Sequence, residues 1–367
     1  MDRTNGSKFG TSWSEENFNG ATAFESMRTS FEDIAAKHRG ELHESLYTFG
    51  GKTVLIRIVG NELATHLSRP FSHLQAPGEN LISPQLTIDL WNENKPAGLA
   101  KTSWHKDLEW TEATLRSHEG RFVGQQLPHT HSCLDRERNH IVASIAWHDR
   151  IFIYERAKPL ARPLLEWHND QNVQVIHTGL VARNGKGVLL VGKSGSGKST
   201  SSLACICAGL DYLSEDYVGL QRLHDGSFVG HSLYNSVFLE TAHLARFAEL
   251  LPYAIKGRPP QEAKSVIILS QVFPQRLRRV VPIRALAMLK VTDNSEVRFR
   301  AASKGEALLA LGPSSLLQIP NRGLGVPGFT RLAELVEQVP CYAIDLGGDL
   351  QAISPCVESV LDEVVAV

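Results

Sequence analysis

Gly187-Val-Leu-Leu-Val-Gly-Lys-Ser-Gly-Ser-Gly-Lys-Ser-Thr200 is the stretch that decides how the chain reads. Its apolar start has the length and composition of a buried strand, and residues 199–208 continue it as a helix. Between them, Gly192, Gly197, Lys198 and Ser199 satisfy G-x-x-x-x-G-K-[ST]. Strand, glycine-rich loop and helix thus follow in the order a phosphate-binding loop requires. The glycines permit tight backbone turns, and the successive N–H groups with the positive end of the helix dipole make a concave anion site. Gly192, Ser194, Gly195, Ser196, Gly197, Lys198, Ser199 and Thr200 are the expected nucleotide-binding residues. Lys198 is expected to reach the β- and γ-phosphates, and Ser199 offers its hydroxyl to Mg²⁺.

Downstream, Gly209 ends the helix and Asp211-Tyr-Leu-Ser-Glu-Asp-Tyr-Val218 enters another strand. Glu215 and Asp216 bring two adjacent carboxylates toward the phosphate site. One can hold the hard cation, directly or through water, while the other accepts the proton of an attacking hydroxyl. In a regular strand they point to opposite faces, so a bulge or strand end is needed for both to serve. Upstream, His177 falls on the neighbouring strand, where it either donates to phosphate and shuttles a proton or is a buried, hydrogen-bonded strand histidine.

These motifs resemble the HPr serine kinase/phosphorylase family in its kinase domain, and more closely the HPr-kinase-related bacterial serine kinases. The matching segments are His177-Thr-Gly-Leu-Val181, Gly192-Lys-Ser-Gly-Ser-Gly-Lys-Ser199 and Glu215-Asp216, spanning about Ile176 to Val218. The resemblance implies an α/β P-loop kinase core of the HPr kinase and phosphoenolpyruvate carboxykinase type, using ATP and Mg²⁺. It implies Glu215 as general base and Asp216 as the metal-associated acid, with a longer arm at Glu215 where the family usually has aspartate. The family's Glu-x-Arg-Gly-x-Gly-like segment is not found here, and this leaves the acceptor open. A serine hydroxyl of a peptide or small protein is the leading expectation. A small-molecule kinase and a nucleotide-binding regulatory protein without transfer are the alternatives.

The rest of the sequence frames that core. At 367 residues, roughly 150 per domain suggests two domains. The expected division is a tail over 1–22, a mainly β N-terminal domain over 23–160 and the kinase domain over 161–367. In the first domain, helix is expected from Ala23 to Lys37, and strands at Thr53–Val59, Leu86–Trp91, Gly120–Gly124, Asn139–Ile145 and Arg150–Tyr154. Pro163–Asn169 reads as a short helix. In the second, Val173–Val181, Gly187–Val191 and Leu210–Leu220 read as strands. Farther on, strands are expected at Ser265–Leu269, Arg284–Val291, Val297–Ala302 and Cys341–Leu346. Ser303-Lys-Gly-Glu306 is a capping box, Phe329–Val339 is helical, and Ser354-Pro355 is expected to cap a last helix to Val367.

Lys plus Arg number 38 against 39 for Asp plus Glu, so no global field recruits nucleic acid or an anionic membrane. Five dispersed cysteines and the lack of an apolar leader or spanning segment fit a soluble cytoplasmic protein. The oligomeric state is open, a homo-oligomer included. Three minor groupings stand apart. Gly257–Lys264 could supply a cation to clamp a transferred phosphoryl group or be a solvated loop, and Arg276, Arg278, Arg279 and Arg284 form a basic cluster that could meet an acidic peptide or phosphate or, as such clusters usually do, face water. His129, His131 and Cys133 alternate like ligands for zinc, but without a fourth they read as loop histidines beside a buried, packing cysteine. Cys205 and Cys207, two helical positions apart, read the same way.

Overall fold

The computed structural model describes residues 12–14, 18–76, 83–93, 113–117, 119–127, 129–146, 151–258, 263–293, 296–316 and 325–363. Its contacts divide the chain into two compact units. One comprises Met1–Leu67, Gln75–Ile151 and Leu160–Trp167, the other Ser68–Leu74, Phe152–Pro159 and His168–Val367. The second unit therefore draws on two segments that precede residue 161. Both units combine helices with mixed sheets, and among the described residues no helix is long and apolar enough to cross a membrane.

The first unit begins with β1 (Ser12–Ser14) and α1 (Gly20–Lys37), both starting inside the stretch read as a tail. Asn19 caps α1 by accepting the Thr22 N–H at 3.1 Å. Ala23, Phe24, Met27, Phe31 and Ala35 recur at helical spacing and are buried, packing with Trp91, Cys133 and Val142. Strands β2 (Leu42–Phe49) and β3 (Lys52–Val59), helix α2 (Asn61–Ser68), and strands β4 (Leu86–Glu93), β5 (Ala113–Arg116), β6 (Phe122–Gln126), β7 (Thr130–Asp135) and β8 (His140–Ala146) follow. The eight strands form one sheet in the order β1-β5-β6-β7-β8-β4-β3-β2.

Next come α3 (Ile153–Ala157) and α4 (Ala161–Asp170). The strand expected over 150–154 is thus corrected to the start of a helix; Arg150 lies outside the described residues. Arg156 N–H reaches Phe152 O at 3.0 Å, and Ile153 and Ala157, one turn apart, share a buried face. A short apolar run does not distinguish strand from helix by period alone.

The second unit continues with β9 (Gln174–His177), β10 (Gly179–Arg183), β11 (Lys186–Val191), α5 (Lys198–Cys207), β12 (Asp211–Ser214), β13 (Tyr217–Arg222), β14 (Phe228–Ser232), β15 (Ser236–Glu240) and α6 (Thr241–Leu244). Then follow β16 (Ile255–Lys256), β17 (Lys264–Ile268), β18 (Val280–Val291), β19 (Arg298–Ala301), α7 (Lys304–Leu316), α8 (Gly325–Gln338), β20 (Cys341–Leu346) and α9 (Ile353–Glu363). Two single strands expected from the sequence are each broken in two. Val173–Val181 divides at Thr178, and Leu210–Leu220 divides at Glu215-Asp216. Strand β9 pairs with β13, whereas β10 pairs with β11 and β12, so the chain changes partners at each break. Ser354 and Pro355 lie within the first turn of α9, two positions later than the cap and first helical residue expected of them. Residues 364–367, where that helix was expected to end, are outside the described residues. The Ser303–Glu306 capping box forms as expected, with Glu306 N–H on Ser303 Oγ at 3.2 Å and Ser303 N–H on Glu306 Oε2 at 2.9 Å.

Long β18 organises this unit. Its first residues pair antiparallel with β14, while its middle and end run parallel to β11 and β20. On β11, Val188 and Leu190 pack with α5 and α9 residues such as Leu203, Val357 and Val360. Leu189 and Val191 turn to the other face, toward Leu311, Leu332 and Leu335 of α7 and α8. This two-sided burial explains the unbroken apolar run of β11. Leu286 of β18 is fully buried in the second of these layers. Leu286→Ala is therefore expected to lower the unfolding free energy by about 2–5 kcal/mol in urea titrations, and a loss below about 1 kcal/mol would contradict this packing.

Candidate active site

The glycine loop leaves β11 at the edge where the parallel strands β11, β18 and β20 end, the position open α/β sheets use for ligands. Gly197 caps α5 with φ of +95°, and a Cβ there would come within 2.6 Å of Leu346 Cδ1. Gly195 has φ of +78° and open space where a Cβ would stand. The first glycine is required by packing and the second leaves the loop backbone accessible. Lys198 donates from Nζ to the carbonyls of Gly192 at 2.7 Å and Lys193 at 3.2 Å, so its ammonium lies across the loop. Burial pushes the Lys198 pKa below the usual lysine value, and Asp216 and Glu215 offset only part of this.

A cleft of about 500 Å³ opens over this loop. It is lined by Ser194, Gly195, Gly197, Lys198, Ser199 and Thr200 on the loop and α5, and by His177, Glu215 and Asp216 from the adjoining strand breaks. Gly192 and Ser196 sit in the turn beneath and do not line it. Because β12 ends at Ser214 and β13 starts at Tyr217, the two acids occupy a strand break, and both side chains face the same cleft. Ser214 shapes that break: its Oγ donates to Tyr217 O at 2.7 Å and accepts the Asp216 N–H at 3.1 Å.

The acids have different partners. Glu215 Oε2 accepts the Ser199 hydroxyl, and its Oε1 accepts Lys158 Nζ at 3.1 Å and the Phe238 N–H at 3.2 Å. Asp216 Oδ1 meets His177 Nε2 at 2.6 Å, while Oδ2 meets Lys158 Nζ at 2.8 Å. Burial alone would raise Asp216, but Lys158 and His177 outweigh it and hold the carboxyl well below the ordinary aspartate range. Burial likewise opposes the Lys158 ammonium, yet Asp216 and then Glu215 keep its pKa above the usual lysine value.

Lys158 is not expected from the sequence. It follows α3 in Tyr154-Glu-Arg-Ala-Lys158-Pro159, and no spacing ties it to the loop. Lys264 belongs to the segment 257–264 considered above, of which residues 259–262 lie outside the described residues. Its ammonium stands 4.7 Å from the Phe238 ring centroid and lines the cleft. Val291, Leu346, Leu350 and Ile353 supply an apolar wall, contributed by the ends of β18 and β20, the turn after β20 and the start of α9.

The remaining groupings do not join the site. Arg278 pairs with Asp211 at 2.8 Å and Arg279 Nε donates to His73 O at 2.9 Å, so the arginine cluster serves separate contacts. Cys205 is buried in the α5 core layer, where burial raises its thiol pKa. Among the described residues no three His, Cys, Asp or Glu side chains are placed to hold a metal ion, His129, His131 and Cys133 included. Ser199, Glu215 and Asp216 do present hard oxygen donors beside the loop. That set fits Mg²⁺, which takes one or two protein oxygens and completes its shell with water and phosphate.

No protein-family model matches the chain, and no curated protein matches it. Among solved structures, the HPr(Ser) kinase/phosphatase from Coxiella burnetii aligns at 14% identity and a TM-score of 0.30, over 53% of this chain and 93% of its own.

The charge pattern sets an acid response. With its folded pKa below its unfolded value, Asp216 adds stability that is fully present above about pH 4 and lost as pH falls through the folded value. Wild type is thus expected to melt above Asp216→Asn at neutral pH, with the gap narrowing below about pH 4. A gap constant from neutral to strongly acid solution would contradict this charge assignment.

Proposed function

We propose that the chain is a Mg²⁺-dependent, ATP-using phosphotransferase that delivers the γ-phosphoryl group to a hydroxyl, a serine of a peptide or small protein by the resemblance noted above. The reading includes a P-loop kinase core of the HPr kinase type in the second unit. One observation carries it. The Ser199 hydroxyl that follows the loop lysine is bonded to Glu215, and Asp216, paired with His177, stands next to it in the same cleft. Phosphate binding, cation binding and proton acceptance thereby fall within one site.

The loop amides and Lys198 hold the β- and γ-phosphates, and the dipole of α5 favours their charge. Ser199 and Glu215 are the residues that would hold Mg²⁺, which would neutralise charge on the transferred group. The contacts of Ser199 favour Glu215 in this role, where the resemblance puts Asp216, and leave the Asp216–His177 pair to receive the proton. The acceptor oxygen bonds to the terminal phosphorus as the bond to the diphosphate oxygen breaks, and the hydroxyl proton passes to the Asp216–His177 pair. Lys264, opposite the loop lysine, balances charge on the phosphoryl group in flight. Most of the acceleration comes from positioning and charge neutralisation.

Calorimetry with Mg²⁺ and ATP should show binding by the wild type that Lys198→Ala abolishes. Transfer of a labelled γ-phosphate to a serine-peptide library should fall by about 10²- to 10⁴-fold in Asp216→Asn while nucleotide affinity is largely kept. No heat with any magnesium nucleotide would refute the reading, and equal turnover in Asp216→Asn would return the proton-accepting role to Glu215.

A further inference from the structure

Lys158 is buried and contacted on every side that the structure describes for it. Its side chain is 2% exposed. The backbone on either side is pinned: Ala157 O accepts the Ser236 hydroxyl, and Pro159 O accepts Tyr234 OH at 3.1 Å. The Lys158 N–H itself closes α3 on Tyr154 O at 2.9 Å. The ammonium is surrounded by the rings of Phe238, Tyr154 and Tyr217, with centroids 5.2, 5.6 and 5.6 Å away. Aromatic faces stabilise a desolvated cation without neutralising it, so its charge is directed at the two carboxylates. One oxygen of Glu215 and one of Asp216 are bound to it.

Two adjacent buried carboxylates without a counter-charge would either protonate or draw in a cation from solution. Here Lys158 occupies one oxygen of each acid, His177 takes the other oxygen of Asp216, and the Ser199-facing oxygen of Glu215 is the one directed toward the loop. A divalent ion approaching the acids alone meets a fixed ammonium on their far side. An ion arriving with phosphates brings the negative charge that offsets this repulsion.

We propose that Lys158 is a resident counter-ion that takes one oxygen from each acid, so that the cleft admits a divalent cation together with a nucleotide's phosphates and rejects the free ion. Lys158 is a positioning residue that acts through Glu215 and Asp216. The inference rests on the nucleotide reading of the cleft and adds a selection between free metal and metal bound to nucleotide.

The test is a Mn²⁺ titration of the full chain without nucleotide, read by the loss of the free-ion magnetic resonance signal, for wild type, Lys158→Met and Lys158→Gln. Removing the ammonium is expected to tighten Mn²⁺ binding by about tenfold or more. A side chain that only supports structure would loosen it on removal, so a gain separates the two roles. Unchanged or weaker Mn²⁺ binding in folded variants overturns the proposal. Should neither variant fold, wild type alone decides, by equilibrium dialysis that counts Mn²⁺ retained with the protein: Mn²⁺ retained as tightly without ATP as with it overturns the proposal, and retention that requires ATP supports it. A wild type that binds no magnesium nucleotide in calorimetry would instead refute the nucleotide reading, an outcome distinct from the Mn²⁺ comparison between variants.

Discussion

Two carboxylates next to each other in sequence cannot both face a partly enclosed cleft unless something compensates their charge, and in this protein that is a buried ammonium. Lys158 bridges Glu215 and Asp216, His177 takes the remaining oxygen of Asp216, and Ser199 takes the remaining oxygen of Glu215. The chain of contacts runs from α3 through the strand break to the first turn of α5. Each member contacts the next, and the loop helix is thereby registered against the acids. Breaking such a buried pair by removing one partner costs more than the pair itself contributes, because the other charge is left uncompensated.

The backbone arrangement that allows this is set by where strands stop. Strand β18 joins the antiparallel pairing of β14 to the parallel pairing of β11 and β20, so the second unit's sheet changes character along one strand. The chain follows suit at Thr178 and at Glu215-Asp216, where it leaves one set of partners for another. Residues at such breaks are released from the alternation of a regular strand. Thus two neighbouring side chains share one cleft, and His177 at the end of β9 meets Asp216 one residue before β13.

Much of the site was legible because its signals are local. The spacing of Gly192, Gly197, Lys198 and Ser199 reports a strand, loop and helix in immediate succession, and Glu215, Asp216 and His177 lie within two strands of it. The need for a strand end at the acid pair also followed from side-chain alternation alone. The rest was hidden for physical reasons. Lys158 reaches the acids through the packing of α3 against β15 and β17, contacts far apart in sequence. The apolar wall of Val291, Leu346 and Leu350 exists only because β18 and β20 end beside β11. The different partners of the two acids depend on side-chain direction at an irregular step, which no spacing encodes. The stretch before Tyr154 misled because an apolar run of that length suits either period.

The placement of α3 bears on how this machinery can be transplanted. A fragment excised at residue 161 would carry the loop, both acids and the histidine, yet lack the cation that lets the acids lie side by side. A graft of this cleft into another scaffold would have to include the turn ending at Pro159 together with the tyrosine and serine that anchor it. The smallest portable piece of the cleft is accordingly discontinuous in sequence.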